Sequence, residues 1–387
     1  MSAVTEVASV IGPMEHAKKN LKTWMKTEKR KAAIAPLGSA LSLLGAKAEV
    51  KYQPKGVVGA ISPWNFPVNL ALAPLAGIIA AGNRVMHKPS ELTPSSSDTL
   101  KSMIEEYFDE GEMAVFIGGP EVGAAFSGLA FDHLLYTGST SVAKHVMKAA
   151  SENLVPLTLE LGGKSPVVVG KNAKMQDVAQ RVMQGKTMNA GQICLAPDYV
   201  YVHETEKDNF VDACKIQVNK FYTHQKYNPD YTSVINQKHY DRLNGLLSDA
   251  KDRGAELVEI NPANEDFTQQ ESHKIPPTLV LNPTDDMQIM KEEIFGPLLP
   301  IKTYKDIDEP ITYINKHDKP LGLYYFGNNK NEEAAVVNST SSGGVTINDI
   351  MGHIPVSYTH LRAHETRHEI VCRLLLEKKK GGGGGGG

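Results

Sequence analysis

At the start of the chain Val7, Val10, Ile11, Met14, Leu21 and Met25 recur at roughly helical spacing. This predicts a helix over 5–31 that Gly12-Pro13 should break. A small-residue connector at 36–45 leads to strand-like alternation at 48–52, and 56–62 is an apolar run of the kind buried on both faces. Strand and helix patterns then take turns: strand 85–87, helix 95–108 behind serines able to cap it, strand 114–117, helix 121–127, strand 133–136, helix 140–152 and strand 155–160. The rhythm restarts after Gly162-Gly163 with strand 166–170, helix 175–188, strand 199–203 and helices 207–221 and 238–253. Runs at 279–281, 298–302, 323–326 and 344–348 supply further strands, and the polar, patternless 261–274 reads as a surface loop. Such alternation implies parallel strands covered on both faces. The expected fold is α/β, with two Rossmann-like lobes at 1–162 and 163–355 and no internal repeat.

Composition narrows the class. The chain has 387 residues, 41% of them hydrophobic and 22% charged, enough for two domains with sizeable cores. A net charge of −3 gives no reason to expect a nucleic-acid partner. The apolar run 70–81 is too short and too broken by proline and glycine to span a bilayer, and residues 1–15 lack the pattern of a secretory signal. Three cysteines are no disulfide framework, so a reducing, cytoplasmic setting is expected.

From Val356 the text changes character and ends in three lysines and seven glycines. It resembles the translated read-through of a sequencing-library adapter, so 356–387 is expected to be a non-native, disordered tail. That tail contains His364-Glu365-Thr366-Arg367-His368, an H-E-x-x-H pattern that on a helix could bind zinc with Glu365 as base. A short pattern in such text is a poor basis for a metalloprotease, and no metal site is expected.

Five internal segments carry chemistry. In Ser62-Pro63-Trp64-Asn65-Phe66-Pro67 two prolines fix the direction of the Asn65 amide, which suits a polar turn or a donor to a developing oxyanion. His87-Lys88-Pro89-Ser90-Glu91 follows the next strand at the end where parallel sheets present their ligand crevice. Lys88 and Glu91 there could grip ribose hydroxyls or form an ordinary charged loop. Thr137-Gly138-Ser139-Thr140 joins a strand to a helix N-terminus, suiting a phosphate or a plain Ser/Thr cap, and no G-x-G-x-x-G is present. Glu160-Leu161-Gly162-Gly163-Lys164-Ser165-Pro166 ends an apolar run with one carboxylate, whose burial would raise its pKa towards that of a base. Asn189-Ala190-Gly191-Gln192-Ile193-Cys194 ends a small turn with a cysteine. A lone cysteine is ordinarily a buried small hydrophobe, but a turn at a helix edge can also lower its pKa and make it a nucleophile.

Together with Glu292-Glu293-Ile294-Phe295-Gly296-Pro297, these segments resemble the NAD(P)-dependent aldehyde dehydrogenase superfamily in order and spacing, from about residue 11 to 355. The stretches 11–31 and 46–66 are most similar to its bacterial coniferyl-aldehyde-oxidising members. The resemblance implies that Cys194 is the nucleophile, that Asn65 and the Cys194 backbone N–H form the oxyanion hole, and that Glu160 activates water. It places Lys88 and Glu91 on the adenosine ribose, Gly138 and Ser139 at the pyrophosphate, Glu293 on the nicotinamide ribose and Phe295 beside the nicotinamide. Phe66, Asn69, Met188, Ile193 and Leu195 flank these residues and are expected to wall a pocket for an apolar or aryl aldehyde.

The implied reaction takes the aldehyde to the carboxylic acid through a cysteine thiohemiacetal and thioester. NAD is favoured because Glu91 would repel a 2′-phosphate, with NADP use open. A CoA-acylating relative is the neighbouring alternative, and Glu160 argues against it, since that chemistry does not want an activated water. A non-catalytic relative or inactive fragment is the other alternative, and joint retention of Asn65, Glu160 and Cys194 argues against that. Relative to the family the chain starts late and stops early, so a fragment is expected, with 36–54 the remnant of an oligomerisation hairpin. The full-length protein is expected to be a homo-dimer or homo-tetramer with a small-molecule substrate and no membrane partner.

Overall fold

The computed structural model describes residues 3–30 and 45–352. The tail from 356, its H-E-x-x-H pattern and the 36–44 part of the expected hairpin lie outside the described residues. The first helix does not break at Gly12-Pro13, because α1 (Ser9–Trp24) contains Pro13. That proline stands five residues into the helix, where its missing N–H removes a single bond. The irregular winding lies ahead of it, in a π-helical turn at Ala3–Ala8. The predicted helix end is instead β1 (Glu28–Arg30), which pairs antiparallel with β2 (Ala48–Val50).

The chain divides into two compact units between Thr158 and Leu159. In the first, β3 (Val57–Ile61), α2 (Asn69–Ala80), β4 (Arg84–Lys88), α3 (Pro94–Tyr107), β5 (Met113–Val115), α4 (Pro120–Ser127), β6 (His133–Thr137) and α5 (Thr140–Ser151) follow one another, and β7 (Leu157–Glu160) crosses the boundary, so that Glu160 belongs to the second unit. The sheet order is β5-β4-β3-β6-β7, with β3 parallel to both β4 and β6 and β4 parallel to β5. Its core joins Ala60, Val85, Met113 and Val115 of the sheet to Leu75 and Ile104 of the helices. The pattern does not announce α2, because a helix apolar on every face shows no period. The serines of 95–97 do not cap α3. Thr93 holds the N-cap without a side-chain bond, and Pro94 takes the first helical position, where a missing donor costs nothing.

The second unit contains β8 (Pro166–Val169), α6 (Met175–Thr187), β9 (Tyr199–His203), α7 (Lys207–Phe221), α8 (Gln237–Asp252), β10 (Glu256–Glu259), β11 (Thr278–Leu281), α9 (Gln288–Lys291), β12 (Leu298–Tyr304), α10 (Asp308–Lys316), β13 (Gly322–Phe326), α11 (Lys330–Ser339) and β14 (Gly344–Ile347). Its seven strands run β10-β11-β12-β9-β8-β13-β14. All pairs are parallel except β10–β11, an antiparallel edge that the sequence pattern does not predict. Alternate residues of β9 serve the two faces. Val200 and Val202 join the core under α6 and α7, while Tyr199 and Tyr201 join the one under α8. Cys214 of α7 lies wholly inside the first of these cores and is the buried small hydrophobe of the cysteine set. Among the described residues no helix is long and apolar enough to cross a membrane.

Candidate active site

The cysteine turn follows α6 directly. Asn189 and Ala190 are left-handed, with φ of +50° and +51°, and Gly191 continues the turn at +72°. Left-handed backbone in a non-glycine residue is strained by about 1–2 kcal/mol and persists only where the surroundings enforce it. Here they do. The Gln192 backbone N–H and side-chain amide both donate to the Asn189 carbonyl (3.0 and 2.9 Å), and the Asn189 amide donates to the Gln192 carbonyl (3.1 Å). Gln192 also donates to the Ser233 carbonyl and accepts from the Ile235 N–H, anchoring the turn to the segment before α8. Gly191 has no room for a side chain, since a Cβ would lie 2.4 Å from the Gly296 carbonyl oxygen. The turn is thus packed, backbone to backbone, on the segment that carries Glu293 and Phe295.

Cys194 is partly exposed, yet its thiol pKa is pushed up to about 12, first by burial and then by the charges of Glu293 and Glu160. This corrects the expectation that the turn lowers the thiol pKa. Loss of hydration and two nearby carboxylates outweigh the backbone N–H groups of Cys194 and Leu195 that favour the thiolate. Glu160, at the end of β7, is half-buried.

The Glu293 carboxyl is pushed up to about 7, first by burial and then by the charge of Asp198. One of its oxygens, Oε1, is buried without a hydrogen-bond partner. A Cβ on Gly162 would lie 2.1 Å from that oxygen, so the carboxylate occupies the space a side chain there would need. The loop bearing Glu293 is held from two sides. Asp198 pairs with Lys164 and accepts from the Ile294 N–H (2.9 Å), and Lys164 also donates to the Ile289 and Glu292 carbonyls. Arg242 reaches Glu292 Oε1 (2.9 Å) and the carbonyls of Glu293 and Ile294. Phe295 follows with a φ of +47°. Fully buried Lys186, near Asp198 and Glu293, has its pKa lowered by burial to about 8.

Sequence reasoning missed Lys186, Asp198 and Arg242, and left Lys164 without a role. The available signal was Lys186 itself, which stands on the face of α6 shared by buried Val178 and Val182, where a charge is out of place.

Of the expected pocket residues, Ile193 and Leu195 are buried and Met188 opens the turn. The Leu195 carbonyl accepts from the Tyr324 hydroxyl at 2.7 Å.

The first unit holds the other expected residues. Ser62 follows β3, with its N–H on the Lys88 carbonyl and its hydroxyl 2.9 Å from His87 Nε2. His87 is fully buried, and burial together with Lys88 lowers its pKa to about 4. Asn65 is buried, and Phe66 is left-handed at φ +51°. Asn69 opens α2 and donates to the Thr5 carbonyl (2.8 Å) and the Ser9 hydroxyl. Lys88 is only 3% exposed and reaches the Pro89 carbonyl (3.1 Å) and Glu91 (3.4 Å), so it is no ordinary charged surface loop. Ser139 caps α5 through a long bond from the Val142 N–H (3.4 Å). Gly138 cannot carry a Cβ, which would lie 2.3 Å from the Tyr136 hydroxyl.

Residues 2–359 match the profile of the aldehyde dehydrogenase family. A probable coniferyl aldehyde dehydrogenase of Caulobacter vibrioides is 60% identical over 353 residues, 91% of this chain and 72% of the relative. A coniferyl aldehyde dehydrogenase of a Pseudomonas species is 51% identical over 90% of this chain and 71% of its own. Among solved structures, the substrate-bound AldH of Staphylococcus aureus superposes with a TM-score of 0.83 at 41% identity, covering 91% of this chain and 74% of that one.

Proposed function

The chain belongs to the aldehyde dehydrogenase family, and from that premise we propose that Cys194 is the nucleophile of a non-acylating enzyme for apolar or aryl aldehydes of the coniferyl aldehyde class. The family reaction is NAD(P)-dependent oxidation of an aldehyde to its acid. The observation that carries the reading is the convergence of Glu160 and Glu293 on the Cys194 thiol, from positions far apart in sequence.

The residues of the second unit fit a nicotinamide cofactor. A buried carboxylate oxygen of Glu293 lacks a partner, and the ribose hydroxyl of such a cofactor is a donor that would supply one. Glu293 and Phe295 would hold the nicotinamide end, Lys88 and Glu91 the adenosine ribose, and Gly138 and Ser139 the pyrophosphate at the N-terminus of α5. When bound, NAD(P)+ supplies the hydride acceptor of the oxidation.

The protein's own groups do the rest. With its pKa raised by burial and by two carboxylates, the Cys194 thiol gives up its proton to solvent as sulfur bonds to the aldehyde carbon. The Asn65 amide and the Cys194 N–H donate to the oxyanion that forms. Oxidation leaves a thioester on Cys194. Glu160 then takes a proton from the water that hydrolyses it, releasing the acid and restoring the thiol.

The aryl preference is supported by the names of the two relatives and by the apolar side chains of Phe66, Ile193 and Leu195 beside the motif residues. NAD(P)H absorbance tests it directly. Coniferyl aldehyde should give a kcat/KM about tenfold or more above a short aliphatic aldehyde, and coenzyme A should change neither rate nor product. Formation of an acyl-CoA would favour the acylating alternative.

The raised pKa of Glu293 adds a pH signature. A ribose hydroxyl is held more strongly by the ionised carboxylate, so only that fraction of the protein is competent. The Kd for NAD+ should therefore fall up to about tenfold between pH 6 and 8, as the carboxyl passes through its pKa of about 7. The same shift works against the folded state. A carboxyl raised above its ordinary value favours folding while protonated, and that contribution is lost as pH rises from its ordinary pKa of 4.5 to about 7. Intrinsic fluorescence titration of the cofactor-free protein measures the Kd. The pH dependence should vanish in Glu293→Gln, and its persistence there would remove Glu293 from the nicotinamide end.

A further inference from the structure

The turn that carries Asn65 is fastened at both ends, and its second fastening comes from a distant part of the chain. At its start Ser62 is tied to β4 through the Lys88 carbonyl and His87. At its end α2 begins at Asn69 with Val68 as N-cap, and Val68 supplies no side-chain bond to the free N–H groups of that helix terminus. Glu6, in the π-helical turn ahead of α1, supplies it instead. Its Oε2 accepts from the Val68 N–H at 3.1 Å and the Asn69 N–H at 2.8 Å. Asn69 returns the contact through its amide, which donates to the Thr5 carbonyl and the Ser9 hydroxyl, and Ser9 donates to Thr5. Glu6 is half-buried, and burial raises its pKa against the two N–H bonds that lower it. The chain thus withdraws a carboxylate from water to make this contact.

Between the two fastenings lies Phe66, left-handed at φ +51°. Strained backbone relaxes when one anchor is lost, and Asn65 is the residue immediately before it. An oxyanion donor contributes only when held within a fraction of an ångström of the developing charge.

We propose that Glu6 is a positioning residue for the oxidation: by capping α2 from the N-terminal segment it holds the 62–69 turn, and through it the Asn65 amide, in the geometry that receives the oxyanion. This rests on the assignment of Asn65 made above. Glu6 touches neither substrate nor cofactor in this role and acts only through Asn65.

A double-mutant cycle in the full chain separates the possibilities. Glu6→Ala should lower kcat by about 10- to 100-fold, the scale expected for a misplaced catalytic group, with the KM for NAD+ unchanged within about twofold. Glu6→Gln, whose amide oxygen can still accept both N–H bonds, should recover kcat to within about threefold of wild type. In an Asn65→Ala background Glu6→Ala should cost no more than about a further twofold, since the group it positions is gone. An equal fold-loss with and without Asn65 would overturn the proposal while leaving Asn65 in its role, as would a wild-type kcat in Glu6→Ala. Full kcat in Asn65→Ala alone would instead remove the assignment of Asn65, and the proposal with it. Should Glu6→Ala fail to fold, Glu6→Asp, which retracts the carboxylate by one carbon, takes its place in the cycle.

Discussion

Cys194→Ala should eliminate NAD(P)H formation from every aldehyde, by on the order of 10⁴-fold or more, in a protein that remains folded. The size of the effect follows from Cys194 being, among the described residues, the cysteine not enclosed in a core. Among the described residues the other free cysteine is Cys214, enclosed in the core beneath α6 and α7. The fold should survive because Cys194 is partly exposed and stands on a turn held by Gln192 and Gly191 rather than by its own side chain.

Cys214→Ala is the matching control. It should keep activity while losing about 1–2 kcal/mol of stability, because it leaves a small void in a close-packed interior. Steady-state absorbance and a thermal melt of both variants suffice. Turnover within tenfold of wild type in Cys194→Ala would end the assignment.

Glu160→Gln should separate the two halves of the reaction. The amide has the size of the carboxyl but cannot take a proton from water, so the thioester should form and then persist. A rapid burst of NAD(P)H, close to one per Cys194, should precede a steady state slowed on the order of 10²- to 10³-fold. The same substitution removes one of the two charges that raise the thiol pKa, so alkylation of Cys194 by iodoacetamide should move to lower pH. That second readout involves no substrate and reports the local field directly. Unchanged steady-state turnover would exclude Glu160 as the base. An unchanged alkylation profile would mean that its charge does not reach the sulfur.

Much of the fold was legible because its strands and helices obey simple periods. The β9 run Tyr-Val-Tyr-Val-His alternates between two cores, and α7 and α8 carry their apolar residues on one face. What escaped had no period to show. α2 is apolar all round, and β10 is two apolar residues between two glutamates. α10 and α11 are short, and their apolar faces are recognisable only against the strands they cover. The turn motifs were visible as motifs, because a Gly-containing turn before a cysteine and prolines around an asparagine are local facts. The buried ionic cluster was not. Lys164, Asp198 and Arg242 look like ordinary charges until the chain brings them to one loop.

The Cys194 turn marks the division most clearly. The order of residues by itself determined which chemical groups are present: a thiol, two glutamates, a constrained asparagine, and glycines where backbone must pass close to other groups. Those identities suffice to relate the chain to its family. Only the tertiary structure decided how the groups behave. A local view of the turn predicts a lowered thiol pKa, but the folded protein surrounds that thiol with carboxylates from positions 160 and 293 and raises it to about 12. It also brings Glu6 to the start of α2, 62 and 63 residues further along, where no local rule could have placed a cap. The reason is the same in both cases. Electrostatic fields and hydrogen bonds depend on distance through space, and distance through space is what folding changes.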